Sequence, residues 1–309
     1  MEVLKTVNIT GLGEKHQGKV RDFWVVGYKR ILVATDRQSA FDQPVGFVPY
    51  KGAVLNLVSE YWFNRTRHIV ANHLLAVPDP NVSIVANCKP INVEMVVRGY
   101  ISGETSTSIW PSYRDGERTI YGVELPNGLR KNQKLPRAII TPTTHETVTG
   151  GHDQRLTKEK IIKQRIVAKD LYEQMEKASL ALFDFGSRLS RRHGLILVDT
   201  KYEFGLYGEQ LMLIDEVHTP DSSRFWKANT YLPRFKKGEE PENFDKELLR
   251  LWLKKNGDQK VPQEIMLTLS ANYIAVCEMT RGKPFVKAPY PIEARIKQNV
   301  QEYLQTVRS

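Results

Sequence analysis

The segment DTKYEFGLYGEQLMLIDEVHTPDSSRFW, residues 199–226, constrains this chain more than any other. It reads as a strand, a tight turn around Tyr207-Gly208, and an apolar return strand, Leu211-Met212-Leu213-Ile214, that ends in Asp215-Glu216. Alternate residues of a strand share a face, so Asp199, Lys201 and Glu203 line one side while Tyr202 and Phe204 line the other. Pairing residue 203 with residue 213 sets Asp215 opposite Lys201 and diagonal to Glu203. Carboxylates and one ammonium then meet at the end of an apolar ladder. Hard carboxylate oxygens beside a phosphate site are how proteins hold magnesium, which makes Glu203 and Asp215 the candidate metal ligands. An ordinary hairpin with a solvated acidic face has the same spacing. A one-residue slip in register would send Asp215 to the opposite side.

A chain of 309 residues can bury a sizeable core and is expected to form two lobes. Lys and Arg outnumber Asp and Glu by 45 to 35, a net charge of +10 that favours anionic partners. The basic residues are spread along the chain, without the clustered stripe and interleaved aromatics of a nucleic-acid binder. No apolar run approaches ~18 residues and there is no apolar leader, so the expectation is a cytosolic protein with neither membrane nor nucleic-acid partners. Cys88 and Cys277 match no zinc spacing and point to buried thiols in a reducing compartment. Composition leaves a bridge between them open.

Along the chain, GKVRD at 18–22 adjoins strands at 23–26 and 31–34, which are joined by a turn near Gly27-Tyr28. Glycine lets backbone approach phosphates and Lys19 and Arg21 would neutralise them, although a basic hairpin edge looks alike. The second strand breaks into TDRQSAFD, residues 35–42, where Ser39 and Asp42 are either site residues or turn formers. Val54, Leu55, Val58, Tyr61 and Trp62 fall at helical spacing over 51–67. Residues 76–92 read as loop with a short strand around 82–85. A strand over 91–97 ends in Arg98, a guanidinium suited to a carboxylate or phosphate. The SGETSTSIW that follows either donates to a phosphate or makes turns and caps. Residues 111–156 read as irregular with short strands, and His152-Asp153 is an acid–base or substrate-contact candidate. Thr157 caps a helical region that ends before Gly194, with a break expected near 164–168 because an unbroken helix would span ~54 Å. Asp221 and Arg224 pair with each other or hold a charged substrate. Residues 234–246 read as a charged linker. Helices follow over 244–255 and 262–281, and a polar tail helix carries Ile292, Ile296, Val300 and Leu304 at four-residue steps.

GKVRD (18–22), ATDRQSAFD (34–42), VVRGYISG (96–103), KLP (134–136), GHD (151–153), DTKYEFG (199–205) and IDEVHTPDSSRFW (214–226) occur in the order found in the SAICAR synthetase family. The chain resembles that family over nearly all of 10–290, and STSIW at 106–110 looks like its longer, yeast-like branch. The resemblance implies an α+β, ATP-grasp-like fold. Two antiparallel-sheet lobes, 1–90 and 91–309, would carry packed helices and hold the nucleotide between them. It also implies a cytoplasmic ATP- and Mg²⁺-dependent ligase of purine biosynthesis, monomeric or a small homo-oligomer. The reaction joins the carboxylate of carboxyaminoimidazole ribonucleotide (CAIR) to the amine of L-aspartate through an acyl phosphate.

By matching motif, Lys19, Val20 and Arg21 would contact ATP phosphates, and Glu203 and Asp215 would bind Mg²⁺. Glu94 is the polar side chain in the stretch where the family contacts adenine. Lys201 would sit beside the reacting carboxylate and γ-phosphate, with Asp199 and Arg224 as its catalytic companions. Ser39, Asp42, Arg98, Ser102, Asp221 and Arg224 would hold the ribonucleotide. Another ATP-grasp-type ligase, or a small-molecule kinase acting on an anionic substrate, would use the same hairpin. The chain departs from the family's GEHDENIS at Gln154 and Arg155, and has His145 where a lysine is common. These departures leave the aspartate contacts unassigned.

Overall fold

The computed structural model describes residues 2–40, 43–144, 154–257 and 259–307. The expectations for Asp42, His145 and His152-Asp153 fall outside them. Two antiparallel sheets organise the fold. The first has five strands in the order Lys15–Gln17, Arg21–Val26, Lys29–Ala34, Val82–Ala86, Leu74–Asp79. The second has seven strands, its main path running Lys134–Ile140, Val93–Tyr100, Leu195–Tyr207, Gln210–Ile214. Thr143–Thr144, Ser223–Lys227 and Lys89–Pro90 join that sheet at its central strands. This is the α+β, ATP-grasp-like architecture expected from the motifs.

Helix Lys51–Thr66 begins where expected. Its start is pressed onto the first sheet: a Cβ on Gly52 would sit 2.1 Å from the Ala34 carbonyl oxygen, so only glycine fits there. Asp36 accepts the Gly52 amide at 2.9 Å, and the fully buried Lys51 donates to the Arg37 carbonyl at 2.8 Å. The helical break after Thr157 is also present. Thr157 caps Lys158–Lys163 by accepting from the Lys160 amide, and a second helix runs Lys169–Arg192. Tyr172, Met175, Leu182, Phe183 and Gly186 form its buried stripe. A Cβ on Gly186 would meet the His218 ring at 2.2 Å, so this helix closes directly on a buried imidazole.

Three expectations change. Leu74–Asp79 is a strand although it contains Pro78, which an outer position in the sheet tolerates. Residues 228–237 form a helix, so the charged linker begins later than 234. The central hairpin pairs Glu203 with Ile214 and Phe204 with Leu213, one residue from the expected register. A two-residue loop at Gly208-Glu209, with Gly208 at φ 60°, sets it.

Helix Ile292–Thr306 returns to the first sheet. Ile292, Ile296 and Val300 pack with Trp24, Ile31, Val33, Val82 and Ile84, and with Leu4, Val7 and Ile9. Arg295 and Asn299 donate to the buried Asp79 carboxylate at 2.7–3.2 Å. Cys88 and Cys277 are both buried and free, so the disulfide alternative is removed. No described helix is long and apolar enough to cross a membrane.

Candidate active site

Strand pairing builds the site. Asp199 lies opposite Arg98 on one neighbouring strand and opposite Arg224 on the other. Both guanidiniums reach its Oδ2, Arg98 Nη1 at 3.2 Å and Arg224 Nη1 in closer contact. Two residues along the same face, Lys201 Nζ donates to Glu94 Oε1 at 2.7 Å and to Glu203 Oε1. Glu94 Oε2 accepts from Thr143 Oγ1 at 2.9 Å, so the expected nucleotide contact is engaged with Lys201 and Thr143. From the first sheet, Arg21 bonds Asp215 Oδ1 at 2.5 Å and Glu216 Oε2 at 2.9 Å. The loop before it is held by a 2.8 Å bond from the Gly18 amide to the Arg21 carbonyl, and by Thr35 on the Val20 carbonyl.

The shifted register alone would place Asp215 opposite Tyr202, toward the core. The strand ends at Ile214 instead, and Asp215 adopts a left-handed backbone, φ 64°. That turn brings its side chain into the cavity with Glu203. Asp and Asn tolerate this conformation better than most residues.

All these groups line one cavity of about 1390 Å³ between the two sheets. Lys19, Val20, Arg21, Ser39, Glu94, Arg98, Asp199, Lys201, Glu203, Asp215, Asp221 and Arg224 line it, as expected from sequence. Ser102 does not. The chain turns away after strand Val93–Tyr100, and the Ser102 hydroxyl is buried against Asn132 Oδ1 at 2.9 Å. Sequence reasoning missed His73, Arg30 and Cys88, which line the apolar end, and Lys246 and Arg250 at the other. Lys246 is the N-cap of helix Glu247–Asn256 and Arg250 lies in its first turn, a four-residue spacing the sequence did carry.

Charge in the cavity is finely opposed. Burial and the nearby Glu203 and Glu216 push the Asp215 carboxyl up to about 7, against the pull of Arg21. Burial works against the Lys201 ammonium, but Glu203, Glu94 and Asp215 outweigh it and hold its pKa well above that of an ordinary lysine. Burial also opposes Asp221, yet Lys246, Lys51 and a 2.9 Å bond from the Tyr273 hydroxyl keep it below the usual carboxylate range. Burial, followed by the charges of Arg21 and Arg30, pushes His73 down to about 3 and leaves a neutral ring.

The donor chemistry around Asp215 suits a hard divalent cation: two cavity-facing carboxylates in an environment that resists a further bare negative charge. Among the described residues no three His, Cys, Asp or Glu side chains converge to hold a metal by themselves. Magnesium is commonly held by one or two carboxylates with substrate phosphates and water completing its shell.

Comparison with known proteins agrees with this arrangement. A family model described as SAICAR synthetase matches residues 14–265. A phosphoribosylaminoimidazole-succinocarboxamide synthase of Legionella pneumophila (strain Lens) is 50% identical, over 94% of this chain and 96% of its own. The chloroplastic enzyme of the same name from Arabidopsis thaliana is 43% identical, over 97% of this chain and 75% of its own. Among solved structures, the Saccharomyces cerevisiae SAICAR synthase complexed with SAICAR superposes with a TM-score of 0.78 at 30% identity, covering 92% of this chain and 100% of that one. A type-2 SAICAR synthetase in complex with ADP shares the fold, with a TM-score of 0.68 at 22% identity over 89% and 100%. With a family model matched over residues 14–265 and a relative 50% identical over most of both chains, the chain belongs to the SAICAR synthetase family.

Proposed function

We propose a route by which this ATP-dependent ligase, which forms SAICAR from CAIR and L-aspartate in purine biosynthesis, uses its cavity. The observation that carries it is the row Asp199, Lys201, Glu203 on one strand face, where Asp199 and Lys201 pair with opposite charges from neighbouring strands and Glu203 pairs with Lys201 within the row. An oxygen of the CAIR carboxylate attacks the γ-phosphorus of ATP, the bond to the β-phosphate oxygen breaks, and ADP leaves. The neutral amine of aspartate then attacks the acyl carbon. Inorganic phosphate departs, the nitrogen loses a proton, and the amide remains.

Little covalent work falls to the protein, so alignment and charge neutralisation carry the catalysis. Lys19, the Val20 backbone and Arg21 would hold the nucleotide phosphates. Lys201 would sit between the reacting carboxylate and the γ-phosphate, kept protonated by Glu94 and Glu203. Asp199 would orient Arg98 and Arg224 toward the anionic groups of the ribonucleotide, with Ser39 and Asp221 completing its site. Glu203 and Asp215 would hold Mg²⁺, which when bound neutralises phosphate charge. The lobe 1–90 would supply the phosphate loop and 91–309 the metal hairpin, in the cytoplasm, as a monomer or small homo-oligomer. A coupled ADP-release assay with ATP, Mg²⁺, CAIR and aspartate, omitting each in turn, tests the reading. ADP release that continues at full rate without CAIR or aspartate overturns it.

A further inference from the structure

Residues 104–108 line the cavity beside Arg98 and Arg224, carrying four consecutive hydroxyl side chains, Thr105 to Ser108. The loop lies directly against Arg224. Gly103, at φ 89°, has no Cβ, and one added there would meet Arg224 Nη2 at 2.7 Å and Ser108 Oγ at 2.3 Å. Behind the loop, its carbonyls are gripped in sequence. Arg155 Nε and Nη2 donate to the Ser106 carbonyl at 3.0 and 2.5 Å, and Nη2 reaches the Ser108 carbonyl at 3.3 Å. Arg98 Nη2 and the Tyr121 hydroxyl take the Thr107 carbonyl at 2.9 and 2.8 Å.

Arg155 does not itself line the cavity. Its Nη1 bonds Ser112 Oγ at 2.7 Å, Glu117 stands 3.6 Å away, and its guanidinium lies 5.5 Å from the centre of the Tyr121 ring. Its backbone is fixed too: residue 155 bridges to Thr143, whose hydroxyl bonds Glu94, the partner of Lys201. A planar fork that engages two carbonyls, a hydroxyl and a ring is a role lysine cannot fill.

We propose that Arg155 is a positioning residue that sets loop 105–108, together with Arg98 and Arg224, as the seat for the phosphate monoester of the ribonucleotide substrate. The proposal rests on the reaction described above. By taking the Ser106 and Ser108 carbonyls, Arg155 keeps their negative ends from the incoming phosphate and leaves hydroxyl donors on the cavity side.

The test compares the ribonucleotide with its dephosphorylated riboside as substrates for wild type, Arg155→Met and Arg155→Lys. For Arg155→Met, KM for the ribonucleotide rises about tenfold or more, as expected when several charge-assisted bonds holding a loop are lost. KM for ATP stays within about threefold, and the kcat/KM preference for ribonucleotide over riboside shrinks by the same factor as the ribonucleotide KM rises. Equal weakening of both substrates, or an unchanged ribonucleotide KM, overturns the proposal. Should Arg155→Met fail to fold, Arg155→Lys decides on the same comparison, because lysine keeps the charge but not the fork. Wild-type inactivity toward the ribonucleotide would instead overturn the reaction on which the proposal rests.

Discussion

Replacing Lys201 with methionine separates chemistry from binding. The ammonium bridges Glu94, which is 4% exposed, and Glu203, with a 2.7 Å bond to the former. Removing one partner of a buried ion pair costs about 3–5 kcal/mol, since the remaining carboxylates lose their compensating charge. Lys201 keeps 30% of its side chain open to the cavity, so solvent screening brings the expectation to about 2–3 kcal/mol in urea titrations of the free protein. The sign with pH follows from the raised pKa of Lys201: the stabilisation is complete below the ordinary lysine range and fades only as pH climbs above it. At pH 7–8 the full difference is therefore expected. In coupled ADP release, losing a charge aimed at the developing phosphate should lower kcat by about 10²–10³, with KM for ATP changing only a few-fold. A variant that keeps wild-type kcat and loses only nucleotide affinity would refute the placement of Lys201 between the reacting groups.

Asp215→Asn should nearly abolish ADP release while the urea midpoint of the free protein stays at or above that of wild type, because the amide removes a carboxylate that burial already disfavours. Wild-type-like turnover would exclude Asp215 from metal binding. Arg295→Ala removes the counter-charge of the buried Asp79 carboxylate and leaves it only neutral donors, Asn299 and the Asn81 amide, so stability should fall by about 3 kcal/mol with KM values unchanged; a loss under about 1 kcal/mol would contradict the pairing. Burial raises the Asp36 carboxyl to about 6 from 3.8, so stability should fall as pH rises through that interval, by at most about 3 kcal/mol. Asp36→Asn should flatten that part of the profile, and an unaltered slope would assign it to other groups.

Much of the site was legible because strand periodicity is rigid. Asp199, Lys201 and Glu203 had to share a face whatever the rest of the chain did. Register was less legible, since it depends on a turn one residue from where Tyr207-Gly208 suggested. The prediction for Asp215 still led to the cavity because a left-handed backbone at that residue offset the slip, and no local pattern announces such a reversal. Ser102 failed for a related reason: a hydroxyl near the end of a site strand can turn toward Asn132 as readily as toward a ligand. The helix Ala228–Lys237 was hidden by Pro233 and by the charge that follows it, and its buried residue, Tyr231, packs against Trp226 of the preceding strand and the distant Tyr100. Arg155 could be singled out as a departure, but its work became visible only once a loop some fifty residues upstream lay against it.

The return of helix Ile292–Thr306 to the first sheet has a bearing on biosynthesis. Trp24, Ile31, Val82 and Ile84 reach the ribosome exit early, yet part of their cover is encoded about 200 residues later. At 5–20 residues per second that is a wait on the order of ten seconds or longer, during which a greasy surface stands open on the nascent polypeptide. The sheet that carries the GKVRD loop should therefore need chaperone shelter until residues 292–306 have emerged, and truncations that remove helix Ile292–Thr306 should accumulate as aggregates.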